Sequence, residues 1–254
     1  MRGIDPCMTA GDNERIASAT FNGHRLATVF HDAGGRELVV FCHGFQSQKT
    51  GPSRFFVRAA RTLAAQGISS LRFDQYGCGD SPGDSTESSF GDWVATTRAI
   101  AEHYLAAGHR VALFGQSMGG SAAIAAASDL PRLTALVAWV PDANVEPFVA
   151  TAEEFLEESS QLVRPSYWLE ACDGRVAERF ERVDMPAYLV FGTADWFVNE
   201  ENRRALIERA KPQHKVDVFE GYVHSAWTYE QATDIIQRSC GFLVDAFAQR
   251  TEAV

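Results

Sequence analysis

The sequence predicts a doubly wound α/β protein: a mostly parallel sheet of about eight strands, helices on both faces, and a small helical insertion after the sixth strand. Three observations carry that expectation. Short, unbroken apolar runs recur, among them Leu38-Val39-Val40-Phe41, Val111-Ala112-Leu113-Phe114 and Leu136-Val137-Ala138-Trp139. Such runs fit strands buried on both faces. Segments of helical spacing lie between them, long enough to serve as crossovers. Antiparallel signals are confined to the N-terminal end, where Asn22-Gly23 marks a turn between two alternating segments from Ala17 to His31.

Taken in order, Glu37 to Cys42 reads as a strand that runs into His43-Gly44-Phe45. Ser53 to Gln66 has helical spacing and stops at Gly67. Ile68 to Phe73 is a strand ending in a long turn, Asp74-Gln75-Tyr76-Gly77-Cys78-Gly79-Asp80-Ser81-Pro82-Gly83. A helix follows from Ser88 to Ala107, bounded by Gly108. Ala135 to Val140 is a strand halted by Pro141. Ala187 to Phe191 and Lys215 to Phe219 are two more strands, with a charged helix between them, and Thr228 to Ala248 closes the chain. The insertion runs from about 142 to 185. Val145, Phe148, Val149, Ala152, Phe155, Leu156, Leu162 and Val163 keep helical spacing there, so an amphipathic helix is expected to lie over the carboxyl ends of the strands as a lid.

Composition narrows the function. The chain has 254 residues, 46% hydrophobic and 22% charged, as in an ordinary globular protein. Its net charge of -10 argues against nucleic acid and anionic membranes as partners. The insertion holds eleven acidic and four basic residues between Asp142 and Asp184, an excess that disfavours polyanionic substrates. Met1 to Met8 reads as a vector leader ahead of a start at Met8, leaving residues 9–254 as one domain. Five scattered cysteines suit a reducing compartment, hence the cytoplasm, and no spacing of Cys or His suggests a metal site. No cofactor is expected, and a homodimer is left open.

The chemistry centres on Gly115-Gln116-Ser117-Met118-Gly119, a G-x-S-x-G corner between a buried strand and the small-residue helix Gly120 to Ala127. A serine there must take a strained backbone, and glycines let the chain pass closely. Its hydroxyl needs a base, and the base needs an orienting acid. His224 follows the strand Val216 to Phe219 and precedes the last helix, whereas His43 precedes a tight glycine loop and reads as structural. Asp195, in Gly192-Thr193-Ala194-Asp195-Trp196-Phe197-Val198, is the favoured acid, and Asp142 after Val140-Pro141 is its rival. The order Ser117, Asp195, His224 is that of an elbow-type hydrolase. The N–H groups of Met118 and Phe45 are the candidate oxyanion donors, with Gly44 letting the second loop swing close.

On His43-Gly44-Phe45, Phe73-Asp74 with Tyr76 to Ser81, the elbow, Gly192 to Val198 and Gly221 to His224, the chain resembles the serine hydrolases of the α/β-hydrolase superfamily from about Thr20 to Phe247. Within it, the loop, the turn and the insertion resemble the cinnamoyl/feruloyl esterase branch and related acyl-thioesterases. Relatives usually carry His before the elbow serine, where this chain has Gln116, and commonly His where it has Cys78. The resemblance implies a carboxylesterase acting on small apolar or aromatic esters through an acyl-enzyme. Thioesterase, amidase or carbon–carbon hydrolase activity on the same triad is the alternative, and a binding protein on the same scaffold is the outside reading. Phe45, Gln116, Trp139, Phe148, Phe155, Trp196 and Trp227 are the candidate substrate-contacting residues.

Overall fold

Side chains that alternate along a strand must find two burial partners when both faces are covered. Leu38, Val40 and Cys42 belong to one buried cluster and Val39 and Phe41 to the other, and Val111 and Leu113 divide from Ala112 and Phe114 in the same way. The computed structural model describes residues 13–17, 19–149, 151–158 and 160–249, so Met1 to Met8, expected to be a vector leader, lie outside the described residues.

The elements run β1 (Glu14–Ile16), β2 (Ala19–Phe21), β3 (His24–Leu26), β4 (Thr28–His31), β5 (Glu37–Cys42), α1 (Phe55–Ala64), β6 (Ser69–Phe73), α2 (Phe90–Ala106), β7 (Arg110–Gln116), α3 (Met118–Ala127) and β8 (Ala135–Trp139). There follow β9 (Leu156–Glu158), β10 (Gln161–Val163), α4 (Pro165–Asp173), α5 (Val176–Phe180), β11 (Ala187–Gly192), α6 (Glu200–Ile207), β12 (His214–Phe219) and α7 (Tyr229–Gln249). Eight strands form the main sheet in the order β1-β4-β6-β5-β7-β8-β11-β12. Only the β1–β4 and β4–β6 pairings are antiparallel within it. The doubly wound, mostly parallel sheet is therefore the one the sequence predicts. Helices α1 and α7 cover one face, while α2 to α6 lie on the other. Among the described residues no helix is long and apolar enough to cross a membrane.

Local chemistry explains most boundaries. Asn22 and Gly23 both take positive φ, 50° and 81°, as a two-residue turn between β2 and β3 requires. The Ser89 side chain accepts the Asp92 N–H at 3.0 Å and so caps α2.

The insertion departs from the expected amphipathic helix. Residues 140–149 form no helix, β9 and β10 make a short antiparallel hairpin, and α4 and α5 follow. Pro147 would remove a helical donor and clash with the preceding turn, and Asn144 and Ser160 have positive φ. Val149 is 83% exposed and Leu162 49%, so the apolar residues do not form one packed stripe. Helix α4, which begins with Pro165 at its first position, is the part that packs over α2.

Trp139 is fully buried among Phe55, Phe56, Phe114 and Trp227, and its Nε1–H donates to Ser239 Oγ at 2.8 Å. It is a core residue between the sheet and α7, not a pocket wall, because the alternation along β8 turns it to the face opposite α3. Trp139→Phe leaves the Ser239 hydroxyl without its donor and opens a void, so denaturant unfolding should show a loss of about 2–4 kcal/mol. Substrate KM should stay unchanged, and a raised KM with unchanged stability would return Trp139 to the pocket.

Candidate active site

The site is assembled where β5, β7, β11 and β12 end. Ser117 follows the last residue of β7 at φ 52° and ψ -129°, a conformation uncommon for a residue with a side chain. Close packing forces the corner. A Cβ on Gly119 would lie 2.1 Å from the His43 carbonyl oxygen, and one on Gly115 would lie 2.3 Å from that of Gly119. Neither position admits a side chain without moving backbone. The Ser117 N–H donates to the Trp139 carbonyl at 2.8 Å, tying the corner to β8.

His224 Nε2 lies 2.9 Å from Ser117 Oγ, and His224 Nδ1 lies 2.7 Å from Asp195 Oδ2. The other carboxylate oxygen of Asp195 accepts the Phe197 N–H at 2.9 Å and the Val198 N–H at 3.0 Å. The Asp195 side chain is 2% exposed, and a carboxylate can be buried so because donors meet both oxygens. With Nδ1–H donated to Asp195, Nε2 is left as the acceptor for the Ser117 proton. The arrangement can move a proton from a hydroxyl to an imidazole whose ring is held in place.

The loop after β5 is braced from below. The Gln75 N–H donates to His43 Nε2 at 3.0 Å, so the ring proton sits on Nδ1 and is donated to the Gly44 carbonyl at 2.8 Å. Burial pushes the His43 pKa down, in keeping with a neutral ring. Pinning the Gly44 carbonyl turns the other end of that trans peptide, the Phe45 N–H, the opposite way. A Cβ on Gly44 would lie 3.2 Å from Ser117 Cβ, so this peptide runs beside the hydroxyl. Met118 opens α3, where the first N–H groups lack helical acceptors. Asp74 secures the loop from the side: Lys49 Nζ lies 2.7 Å from its carboxylate, and the Asp80 N–H donates to it at 2.9 Å. Gly79 must be glycine there, at φ 54° with Asp74 Oδ2 only 2.4 Å from where a Cβ would sit.

Asp142 does not bond to His224 in this arrangement. Ser121 holds its backbone at both ends, accepting its N–H at 3.0 Å and donating to its carbonyl at 2.7 Å. Its carboxylate accepts the Asn144 N–H at 2.9 Å. The segment is strained, because Val140 takes φ 43°, a true outlier for a β-branched residue. Desolvation raises the Asp142 pKa to about 6, with the Asp195 and Glu146 charges adding to the effect and His224 opposing it.

Among the other sequence candidates, Phe45 packs on Tyr167 and Trp168 of α4, each ring pair 4.9 Å apart. Trp196 is 75% exposed on the Asp195 turn. Gln116 is buried at the end of β7, and its Oε1 has no hydrogen-bond partner among the described residues. Trp227 stacks on Phe55 at 5.2 Å and donates to the Val223 carbonyl at 2.6 Å, so it anchors the His224 loop instead of facing a ligand. Phe148 is half-buried in the irregular stretch, and Phe155, just before β9, lies under the Arg164 guanidinium at 4.9 Å. Tyr167, Trp168 and Phe197 were not singled out from the sequence. The aromatic pair after Pro165, and the aromatic next to Trp196, were the available signals.

Residues 34–173, more than half of the chain, match the model of the family described as serine aminopeptidase, S33. The chain belongs to this family of α/β hydrolases. Its fold is similar to that of Est1E from Butyrivibrio proteoclasticus with ferulic acid bound, with a TM-score of 0.79 at 20% identity over 91% of this chain and 99% of that one. A monoacylglycerol lipase from Paleococcus ferrophilus gives a TM-score of 0.74 at 22% identity, covering 87% of this chain and 99% of its own. The α/β hydrolase GrgF from Penicillium gives 0.77 at 16% identity over 92% and 99%. No curated protein matches the chain in sequence.

The Asp142 shift makes a signed prediction for this S33-family chain. From the ordinary aspartate value of 3.8 up to about 6, the folded state binds a proton that the unfolded state has released. Stability therefore falls as pH rises through that window, and the ionised group costs on the order of 3 kcal/mol above it. Asp142→Asn should raise the thermal midpoint over wild type at pH 8 and leave it unchanged at pH 4. An equal shift at both pH values would contradict this.

Proposed function

We propose that the chain is a serine carboxylesterase acting on small apolar or aromatic esters through an acyl-enzyme. The observation that carries this is the relay from Asp195 Oδ2 through both nitrogens of His224 to Ser117 Oγ, at 2.7 and 2.9 Å, seated on a strained corner. Ser117 Oγ attacks the ester carbonyl carbon while His224 Nε2 takes its proton. The oxyanion so formed is met by the Phe45 and Met118 N–H groups, fixed before the substrate arrives. The carbon–oxygen bond to the alcohol then breaks, and Nε2 returns its proton to the leaving oxygen. Water, deprotonated by the same nitrogen, attacks the acyl carbon; the bond from that carbon to Ser117 Oγ then breaks, Nε2 returns its proton to Oγ, and the carboxylic acid leaves. Asp195 stays a carboxylate throughout, holding the ring and favouring the imidazolium.

Phe45, with Tyr167 and Trp168 behind it, supplies an aromatic wall beside the oxyanion donors and suits an apolar or aromatic acyl group. Ferulic acid in Est1E and the monoacylglycerol lipase support ester over other bonds. Amide cleavage is the second reading, because the family description names an aminopeptidase. The four cysteines of the described residues are free thiols, which supports a cytoplasmic, reducing setting.

With p-nitrophenyl butyrate, a burst of alcohol release should precede the steady state. Ser117→Ala and His224→Ala should each lower kcat about ten-thousand-fold, and Asp195→Asn about a thousand-fold or more. Asp142→Asn should cost less than about tenfold, since its carboxylate makes no bond to the ring. Full turnover by Ser117→Ala would end the esterase reading. An Asp142→Asn loss equal to that of Asp195→Asn would reassign the acid.

A further inference from the structure

We propose that Trp196 and Phe197 form the binding wall for the alcohol half of the ester, and that the preferred leaving group is a neutral alcohol carrying an aromatic ring. This rests on the esterase reading above and names the substrate class for the side of the site that reading leaves open. Phe197 leans on the His224 imidazole, centroids 5.1 Å apart at 49°, and Trp196 stacks on Phe197 at 3.7 Å and 27°. Both rings stand in water, 75% exposed for Trp196 and 58% for Phe197, so the fold itself does not bury them. Leaving that apolar area wet is unfavourable until something covers it.

Their placement says which half of the substrate would cover them. The nitrogen that takes the Ser117 proton must later hand it to the leaving oxygen, so that oxygen comes to within about 3 Å of His224 Nε2. The groups on the alcohol carbon then lie over the imidazole and against the ring packed on it. The acyl half and its oxyanion would lie instead toward Phe45 and Met118, where a different aromatic group, Tyr167 and Trp168, packs on Phe45.

The wall is also rigid. Asp195 Oδ1 accepts the N–H of Phe197 and of Val198, and Val198 is buried in the core, so the turn that carries the two rings is fixed by the same carboxylate that holds His224. Beyond it, the Asn199 side chain donates to Glu146, and the Val145 N–H donates to Asn202 at 3.0 Å, closing the rim with an acidic segment. Glu146 and Asp142 there disfavour an anionic alcohol. An aromatic group can meet the two rings by offset stacking or edge-to-face contact, which an aliphatic chain of equal size cannot do as well.

The test compares ethyl, cyclohexylmethyl and benzyl butyrate on the full chain, following acid release at constant pH. The three alcohols are of similar acidity, so differences report binding at the alcohol side and not leaving-group strength. Wild type should favour the benzyl over the ethyl ester in kcat/KM by about tenfold or more, and the benzyl over the cyclohexylmethyl ester by about threefold. In Phe197→Ala the benzyl-to-ethyl ratio should collapse toward one, in Trp196→Ala it should fall part of the way, and Phe197→Tyr should keep it. Phe197→Leu reads the same ratio should the alanine variant fold poorly. Equal rates for the three esters in wild type, or an unchanged ratio in Phe197→Ala, would overturn the proposal while leaving the esterase reading intact. Hydrolysis of none of them would overturn the esterase reading itself, and the proposal with it.

Discussion

The backbone approach at the elbow is the constraint from which the site follows. The start of α3 comes so near the end of β5 that the Cβ of any residue at 119 would lie within 2.3 Å of two carbonyl oxygens, those of Cys42 and His43. That proximity sets Ser117 on its strained corner and brings the Gly44–Phe45 peptide beside its hydroxyl. The same proximity leaves the first N–H of α3 next to it. Because the proposed oxyanion donors are backbone groups on a strand exit and a helix start, their positions would be inherited from the sheet and not from side-chain rotamers. A preorganised site of this kind needs little rearrangement when charge develops.

Two carboxyl groups lie near the imidazole, and their surroundings separate them. Asp195 sits in a turn whose N–H groups point at one of its oxygens, leaving the other for His224. Asp142 is held by its backbone through Ser121, and its carboxyl receives a single N–H, from Asn144. Burial without enough donors is what raises the second group's pKa. The acid that can orient a base is the one whose charge the fold has already satisfied.

Much of this could be read from the chain alone, and the parts that could not have physical reasons. Strands buried on both faces announce themselves as apolar runs, and Asn22-Gly23 and Gly67 mark a turn and a helix end where the chain takes positive φ. The elbow and the late histidine stood out because strand ends followed by short loops are where an α/β sheet presents its chemistry. The insertion could not be read in this way. Its apolar residues happen to recur at helical spacing, yet Pro147 and the positive φ of Ser160 break the run, and a short hairpin wins. Trp139 shows a second limit: proximity to a strand end says nothing of which face a side chain takes. Tyr167 and Trp168 were out of reach because they meet Phe45 across more than a hundred residues of chain.

The central claim is that His224, aligned by Asp195, makes the Ser117 hydroxyl a nucleophile. A fluorophosphonate probe followed by intact-mass and peptide analysis tests it most directly, since only an activated hydroxyl displaces fluoride at a useful rate. The account predicts one adduct per chain, on the peptide bearing Ser117, that is lost in His224→Ala while the variant stays folded. An adduct on another residue, or labelling of Ser117 that proceeds undiminished without His224, would contradict it.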